Sequence, residues 1–307
     1  MESKKASEKQ RKTCSNIFKD TYDKCQNFTI LRDSIEQSIK DTKFYTESYN
    51  YDISKYSIKS TDFNIIITPD RTLQAVSKYY LQKNNNNELN KTTVLNFASG
   101  KHPGGGVWTG ARSQEESICR CSTLYPCLET EFLKENFYSY HIELRSKNTD
   151  RIIYIPNIIV FKSDDNVEAE MLKENEWYKI DVLSCAAHNQ RAYKVEYNEL
   201  KNINYKKIKA IVECAIENNV DNIILGAFGC GAFANDRKVV ANMFKKVLID
   251  EKLYKYFKNV HFAIFTTLND HLNYDEFIKT FEKYLKKEEI QKIIFLVIKI
   301  KILYYKL

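Results

Sequence analysis

The sequence contains no apolar segment long enough to cross a membrane as a helix. Its most apolar segment, IIFLVIKIKILYY at residues 293–305, is interrupted by lysines and is shorter than the roughly 20 residues that span a bilayer. The alternation in this segment is typical of an edge strand or a packed extension. The N-terminal MESKKASEKQRK is charged and lacks the apolar core of a signal peptide. We therefore expect an intracellular protein, cytoplasmic or nuclear, that makes no contact with a membrane.

The composition also excludes disordered and fibrous proteins. With 43% hydrophobic and 28% charged residues among 307, the chain can bury a sizeable core. The formal net charge of +7 suits a polyanionic partner, but Lys, Asn, Ile and Tyr are abundant throughout, which favours a solvated lysine surface. No strip of interleaved basic and aromatic residues is evident, so we expect no direct binding of DNA or RNA.

Eight cysteines are present without any sign of a secretory context. We expect them to be reduced and to act as small core residues. Cys119, Cys121 and Cys127 cluster with the spacing C-x-C-x5-C. This cluster lacks a fourth ligand, which a structural zinc site needs, so we predict no metal site.

The middle of the chain alternates between apolar runs and helical patterns. Strands are predicted at 63–68, 92–99, 222–226 and 260–265, and in RIIYIPNIIVFK and YKIDVLSCAA. Helices are predicted behind residue 69, from residue 113 through SICRCSTLY, and around the apolar stripes at 208–216 and 239–248. The alternation predicts an α/β fold whose mixed, largely parallel sheet lies between helical layers.

No internal repeat and no linker interrupts this pattern. We divide the chain into an N-terminal helical extension at 1–58, one domain at 59–286 and the apolar tail at 287–307. The low-complexity segment NNNNELN at 84–90 is interpreted as a solvated turn.

Glycine is scarce, with only 8 residues, and yet three of them lie side by side at 104–106. SGKHPGGG follows the strand TTVLNFA, and a second loop, GAFGCGAF, follows NIIL. Such loops gather at the carboxyl ends of strands, where glycine lets the backbone approach a ligand and successive amides can hold phosphate oxygens. Two loops facing one crevice suit a diphosphate, although tight turns without a ligand remain the alternative. Neither loop matches G-x-G-x-x-G or a P-loop, which disfavours a Rossmann dehydrogenase or an NTPase.

Glu115 and Glu116 follow the glycines after seven residues and Gln114, and Ser113 directly precedes Gln114. Adjacent helical residues point about 100° apart, so this pair does not suit the opposed carboxylates of ordinary glycosidases. A division of labour fits better, in which one carboxyl reaches the scissile bond and the other holds substrate hydroxyls. The alternative is a plain capping box, Ser113 with Glu116, at the start of a helix.

Together these motifs resemble poly(ADP-ribose) glycohydrolases, and in particular their compact, microbial-type branch. The resemblance rests on GGG, seven residues and then QEE, framed by NFASGKHPGGG and SICRCSTLYPCL. It continues through YIPNIIVFKSDD, VLSCAAHNQR and ILGAFGCGAFANDRKVVA, and it covers roughly residues 60–286. The resemblance implies a macrodomain-like three-layer α/β/α sandwich and reversal of ADP-ribosylation, for example in the DNA damage response.

The resemblance also implies a role for each matching residue. Glu116 would be the catalytic acid/base, Glu115 would hold ribose hydroxyls, and Asn96 would help to fix the terminal ribose. Further substrate contacts would come from the two glycine loops and their neighbours: Gly104, Gly105, Gly106, Gln114, Gly229, Cys230, Gly231, Ala232, Phe233 and Asn235. The implied substrate is poly(ADP-ribose) or an ADP-ribosylated protein, and neither a metal nor a cofactor is implied. We expect a monomer.

Two positions depart from the family pattern. His102 stands where asparagine is common, and Phe228 where tryptophan is common. We expect His102 to support the loop and not to act as a catalyst.

Three other functions remain open from the sequence. A macrodomain reader would bind ADP-ribose without cutting it, but the intact QEE argues against pure binding. A hydrolase of mono-ADP-ribosyl groups would use the same pocket and the same acids. An RNA-binding protein is suggested by the net charge alone.

Overall fold

The computed structural model describes residues 2–82, 89–144, 149–164, 169–267 and 270–285, with side chains from residue 7 onward. Seven strands form one sheet, and their bounds are β1 Lys43–Tyr45, β2 Ile65–Thr68, β3 Thr92–Ala98, β4 Ile152–Val160, β5 Tyr178–Ala186, β6 Asn222–Leu225 and β7 Asn259–Ala263. The strand order is β1-β4-β5-β3-β6-β7-β2. Strands β5, β3, β6, β7 and β2 run parallel, and β4 and β1 add an antiparallel edge.

The helices cover both faces of this sheet. Their bounds are α1 Glu2–Asn27, α2 Thr29–Lys40, α3 Thr72–Tyr79, α4 Gln114–Cys121, α5 Leu124–Leu128, α6 Glu131–Leu133, α7 Tyr140–Glu143, α8 Tyr197–Glu217, α9 Arg237–Lys245 and α10 Leu272–Phe281. π-helical turns join α6 to α7 and extend α9 as far as Asp250. Helices α1 to α5 pack on one face, and α8 to α10 pack on the other.

Two apolar cores result, one on each face of the sheet. Successive strand residues alternate between them: Leu95 belongs to the core under α8 to α10, while Val94 belongs to the core under α1 to α5. Tyr154 and Ile153 on β4 divide in the same way. Because strand side chains alternate with a period of two, a sheet buried on both faces needs apolar residues at every position. The α/β sandwich with a mixed, largely parallel sheet is therefore confirmed.

The structure corrects two local predictions. The helix expected to run through SICRCSTLY ends at Cys121, because Ser122 pairs with Val160 in a β-bridge and a second helix begins at Leu124. The capping box is also wrong. Ser113 stands at the N-cap of α4, but its side chain caps no amide, and the carboxyl of Glu116 turns toward a different backbone.

The N-terminal extension contains α1 and α2, and strand β1 follows them in the main sheet. The domain boundaries at 58 and 286 stay predictions. Most of the predicted NNNNELN turn and the apolar tail lie outside the described residues. Among the helices in the described ranges, none combines the length and apolar character needed to traverse a lipid bilayer.

Candidate active site

A cleft of about 810 Å³ opens at the carboxyl ends of the parallel strands. Its walls come from the segments that follow β2, β3, β5, β6 and β7, and from the first turn of α4. Ligands of open α/β sheets bind at this edge, where several loops converge. The cleft is lined by these members of the predicted set: Gly105, Gly106, Gln114, Glu115, Glu116, Gly229, Gly231, Ala232 and Phe233. Asn96, Gly104, Cys230 and Asn235 do not line it.

Glu116 lies in the first turn of α4 with only 7% of its surface exposed. Its Oε1 accepts a hydrogen bond of 2.9 Å from the backbone N–H of Gly106. Its Oε2 is buried and has no hydrogen-bond partner in the described part of the chain. Leaving a buried carboxyl oxygen unpaired costs free energy. Oε2 is therefore the atom that a bound group in the cleft would satisfy.

Glu115 is held more tightly than its neighbour. Its Oε2 accepts from the Ser99 N–H at 2.8 Å, and its Oε1 accepts from Asn96 Nδ2 at 3.3 Å. Burial raises the pKa of Glu115 to about 8, against the lowering effect of the Ser99 bond, and the charge of Glu116 adds to the rise. Glu115 therefore carries a proton near neutral pH.

The two carboxyl groups converge although their side chains leave the helix in different directions. A Cβ placed on Gly105 would lie 2.5 Å from Glu116 Oε1 and 3.0 Å from Glu115 Oε2. Both side chains are long enough to bend back toward the glycine loop. The angle of about 100° between adjacent helical positions therefore describes the directions of the two Cα–Cβ bonds. It does not predict the positions of the carboxyl groups.

Gln114 and Asn96 act behind the carboxyl pair. Gln114 Oε1 accepts from Phe97 N–H at 2.8 Å, and its Nε2 donates to Leu95 O at 2.6 Å, so it ties α4 to β3. Asn96 is fully buried and donates to Ser184 Oγ at 3.0 Å as well as to Glu115. The structure therefore places Asn96 beneath the pair, outside the open cleft.

The first glycine loop uses two of its own amides internally. Gly105 N–H donates to His102 O at 3.0 Å, while Gly106 N–H donates to Glu116. Gly104 and Gly105 have φ values of 62° and 59°, a region that side chains disfavour. A Cβ on Gly104 would lie 2.7 Å from Tyr125 Cδ2. This loop is therefore folded onto Glu116 and offers few free donors.

The second glycine loop is more open. The amides of Gly231, Ala232 and Phe233 donate to no acceptor within the described residues, and a Cβ on Gly231 would meet nothing within 4 Å. Gly229, with φ 73°, packs on the Asn235 amide. Successive free amides form a concave site for anions.

Asn235 and Cys230 support this loop from behind. Asn235 Nδ2 donates to His188 O at 2.7 Å and to Gly229 O at 3.1 Å. Burial raises the pKa of the Cys230 thiol to about 12, and its Sγ lies 3.8 Å from Phe228 O. Both side chains therefore hold the loop from within and stand away from the cleft.

The two family departures lie on opposite sides of the site. His102 is exposed at the rim of the cleft, and its backbone carbonyl accepts from Gly105. Phe228 is fully buried, with its ring centroid 5.8 Å from that of Phe97.

One part of the cleft wall was not predicted from the sequence. Arg71 follows β2, and its guanidinium lies 4.3 Å from the ring centroid of Phe265, which follows β7. Asp164 lies 3.8 Å from Arg71 and accepts a hydrogen bond from Ser117. The rule that ligands bind at strand carboxyl ends could have found Arg71 and Phe265. Asp164 lies in the segment YIPNIIVFKSDD, but nothing in that segment indicates that its side chain reaches the cleft.

The cysteine cluster takes no part in the cleft. Cys119, Cys121 and Cys127 are buried, with Cys121 Sγ 3.2 Å from Ser163 O and Cys127 Sγ 3.4 Å from Thr123 O. Over the described ranges, no three His, Cys, Asp or Glu side chains are grouped to hold a metal ion.

Comparison with known proteins places this chain in a family. Residues 11–163 match the family model described as the catalytic domain of microbial-type PARG. The structure resembles poly(ADP-ribose) glycohydrolase from Thermomonospora curvata, with a TM-score of 0.76, 26% identity, and coverage of 87% of this chain and 99% of that one. No curated protein sequence matches the chain.

Two similar structures contain ligands. The Thermomonospora curvata enzyme bound to the inhibitor ADP-HPD gives a TM-score of 0.72 at 26% identity, with 87% of this chain and 98% of that one covered. The glycohydrolase from Deinococcus radiodurans in complex with ADP-ribose gives 0.69 at 25% identity, with 81% and 97% covered. In each case the similarity extends over nearly the whole length of the solved chain.

Proposed function

We propose that this chain, which belongs to the microbial-type poly(ADP-ribose) glycohydrolase (PARG) family, hydrolyses the ribose–ribose O-glycosidic bonds of poly(ADP-ribose) and releases ADP-ribose. The observation that carries the assignment of roles is the state of Glu116. One of its carboxyl oxygens is fixed by the Gly106 amide, and the other is buried at the cleft and has no hydrogen-bond partner among the residues that the structure describes.

Glu116 acts as the general acid and then as the general base. Its carboxyl group gives a proton to the leaving ribose oxygen as the bond from that oxygen to the anomeric carbon breaks. The resulting carboxylate then takes a proton from the water that attacks the oxocarbenium-like carbon, which restores the acid. A positioned acid/base of this kind contributes about 10² to 10⁴ in rate.

Glu115 holds the ribose hydroxyl groups. Because its pKa is raised to about 8, the carboxyl is neutral at physiological pH and can both donate and accept hydrogen bonds. A neutral Glu115 also avoids a second negative charge in the step in which Glu116 has given up its proton. Asn96 and Ser99 fix the direction of this carboxyl.

The diphosphate binds to the second glycine loop. The amides of Gly231, Ala232 and Phe233, which meet no acceptor in the described part of the chain, support this assignment. The space beside Gly231, where no described atom lies within 4 Å of a Cβ, supports it as well. The cleft lining contains Arg71 and Arg112 but also four carboxyl groups, so the backbone amides, and not the net charge of the cleft, favour an anionic ligand at this loop. Binding energy gained on the diphosphate orients the ribose against Glu116 and so lowers the barrier.

We further propose that the enzyme is a monomer and that it binds neither DNA nor RNA directly. Light scattering measures the mass in solution and so tests the monomer. An unlabelled RNA competitor tests nucleic-acid binding, and we expect it to leave the hydrolysis rate unchanged.

The decisive experiment compares the wild-type protein with Glu116→Gln on labelled poly(ADP-ribose) and on a mono-ADP-ribosylated protein. We expect the wild type to release ADP-ribose from the polymer. The variant should lose about 10² to 10⁴ in turnover while its affinity for ADP-ribose by calorimetry stays within about threefold.

The other outcomes would each overturn part of the proposal. Turnover of the mono-ADP-ribosylated protein alone would mean that the substrate is this protein and not the polymer. Binding without release from either would leave a reader of ADP-ribose. Near-wild-type hydrolysis by Glu116→Gln would move the acid to another residue.

A further inference from the structure

The N-terminal helix α1 packs directly on the loop that leads to Glu116. The ring of Phe18 is fully buried and meets the rings of Trp108 and Tyr125 edge-on, at centroid distances of 4.8 Å and 4.9 Å. Tyr22 adds contacts of 5.3 Å and 5.7 Å to the same two rings. Trp108 Nε1 donates to Tyr125 OH at 2.7 Å. Edge-to-face pairs of this kind stabilise by about 0.5–1.5 kcal/mol each beyond their buried area.

The backbone of the loop is fitted to α1 as closely as its side chains. Ser15 Oγ donates to Trp108 O at 2.6 Å. At Gly110, where φ is 73°, a Cβ would lie 1.9 Å from Arg11 O. No residue with a side chain fits between this loop and the helix. The loop therefore keeps its position only while α1 occupies its own.

These contacts reach the catalytic carboxyl in two short steps. The ring of Tyr125, which Phe18 supports, packs against Gly104. Two residues later, Gly106 donates its amide hydrogen to Glu116.

Helix α1 also holds the far end of α4. Thr21 Oγ1 donates to Arg120 O at 2.6 Å, and Arg120 itself donates to Ala111 O at 2.7 Å. Thus α1 is bonded to the chain on both sides of Glu116.

We infer that α1 is a positioning element of this active site, with Phe18 and Ser15 as its positioning residues. They hold residues 104–113 in the conformation that keeps the Gly106 N–H bonded to Glu116 Oε1. A loop with three consecutive glycines has large conformational freedom when it is unsupported. A displacement of about 1 Å at a reacting group can cost about 10²-fold in rate. The catalytic consequence rests on the proposed function, whereas the positioning itself does not.

The test uses two readouts on the full chain. Hydrogen exchange measures protection of the Gly106 amide, and steady-state kinetics on poly(ADP-ribose) measure kcat and KM. Phe18→Ala should speed exchange at Gly106 about tenfold or more and lower kcat by a similar factor. The affinity for ADP-ribose should fall by a smaller factor than kcat, because the diphosphate is assigned to the second glycine loop, whereas α1 supports residues 104–113.

Leu31→Ala is the matched control, since Leu31 on α2 is equally buried in the same core. It should lose comparable stability, while exchange at Gly106 and kcat for the folded protein stay near wild type. If Phe18→Ala does not fold, Ser15→Ala replaces it, with exchange about threefold faster expected from one lost hydrogen bond.

Two results would overturn the inference. One is unchanged Gly106 protection in both α1 variants. The other is an equal loss of Gly106 protection in Leu31→Ala, which would mean general destabilisation. If the wild-type protein releases no ADP-ribose, the proposed function fails, but the exchange data still decide whether α1 positions the loop.

Discussion

Gly105 lies directly against the carboxyl group of Glu116. A Cβ at this position would stand 2.5 Å from Glu116 Oε1, closer than non-bonded atoms can approach. The backbone here also has φ 59°, which costs a residue with a side chain about 1–2 kcal/mol. A side chain at the central glycine of the triplet would therefore displace the carboxyl group of Glu116, besides any effect on the ligand.

Replacing this glycine should therefore damage the unliganded protein as well as its ligand binding. We expect Gly105→Ala to lower the melting temperature, to weaken ADP-ribose binding and to reduce kcat by about 10²-fold, because the methyl group displaces Glu116. Differential scanning fluorimetry, calorimetry and polymer hydrolysis measure the three effects. Unchanged affinity and turnover would show that the loop tolerates the methyl group.

Gly231 provides the contrasting case. Its Cβ position is open, so Gly231→Leu should leave the melting temperature unchanged. If the amides of residues 231–233 hold the diphosphate, the leucine side chain blocks the approach of the ligand. We expect the Kd for ADP-ribose to rise about tenfold or more, which corresponds to about 1.4 kcal/mol. Wild-type affinity in this variant would place the diphosphate elsewhere.

The raised pKa of Glu115 makes stability depend on pH. Its pKa is about 8 in the folded protein, against a usual value of 4.5. The protonated carboxyl therefore favours the folded state, fully below pH 4.5 and decreasingly as the pH rises through 8. Glu115→Gln keeps the neutral shape and removes the titration.

The stability advantage of Glu115→Gln should accordingly widen with pH. We expect the wild type and the variant to have similar free energies of unfolding at pH 4.5. The difference between them should grow by up to about 1.4 kcal/mol per pH unit toward pH 8. Urea unfolding at pH 4.5, 6, 7 and 8 measures this gap. A gap that stays constant across the series would assign the titration to another group.

Asn96 is expected to matter through Glu115. In Asn96→Asp a buried acid replaces the donor that now bonds Glu115 and Ser184. We expect the free energy of unfolding to fall by about 1–3 kcal/mol, and by more at higher pH. Turnover should be reduced as well. Asn222→Asp is the control, because Asn222 is equally buried at the start of β6, where it donates to Thr92. Equal loss of activity in both variants would remove Asn96 from the site.

Much of the central sheet could be predicted from local pattern. The runs that became β2, β3 and β6 are short, apolar and followed by loop residues, and burial on both faces explains their continuous hydrophobicity. Strand β1 was not foreseen, because its three residues, Lys43–Tyr45, become a strand only by pairing with β4. The break after Cys121 likewise depends on the distant partner Val160.

The candidate site could also be predicted from the sequence only in part. The triplet Gly104–Gly106, the pair Glu115 and Glu116 and the second glycine loop were all visible as motifs, and the structure brings most of them into one cleft. The sequence did not predict which amides of the two loops are hydrogen-bonded within the protein, since the folded backbone sets the partner of each amide. Nor did it predict the role of Asp164, which lies far along the chain from Arg71 and Ser117.

The layers of the fold, the position of the glycine loops at strand ends and the family resemblance can all be recognised in the amino-acid sequence. Hydrophobic periodicity and glycine placement act over a few residues, so they can be recognised without coordinates. Three features depend on the folded structure: the raised pKa of Glu115, the buried Oε2 of Glu116 that has no hydrogen-bond partner among the described residues, and the packing of α1 on the loop that contains Trp108. The free energy of a buried carboxyl depends on every group packed around it, and those groups are separated widely along the chain.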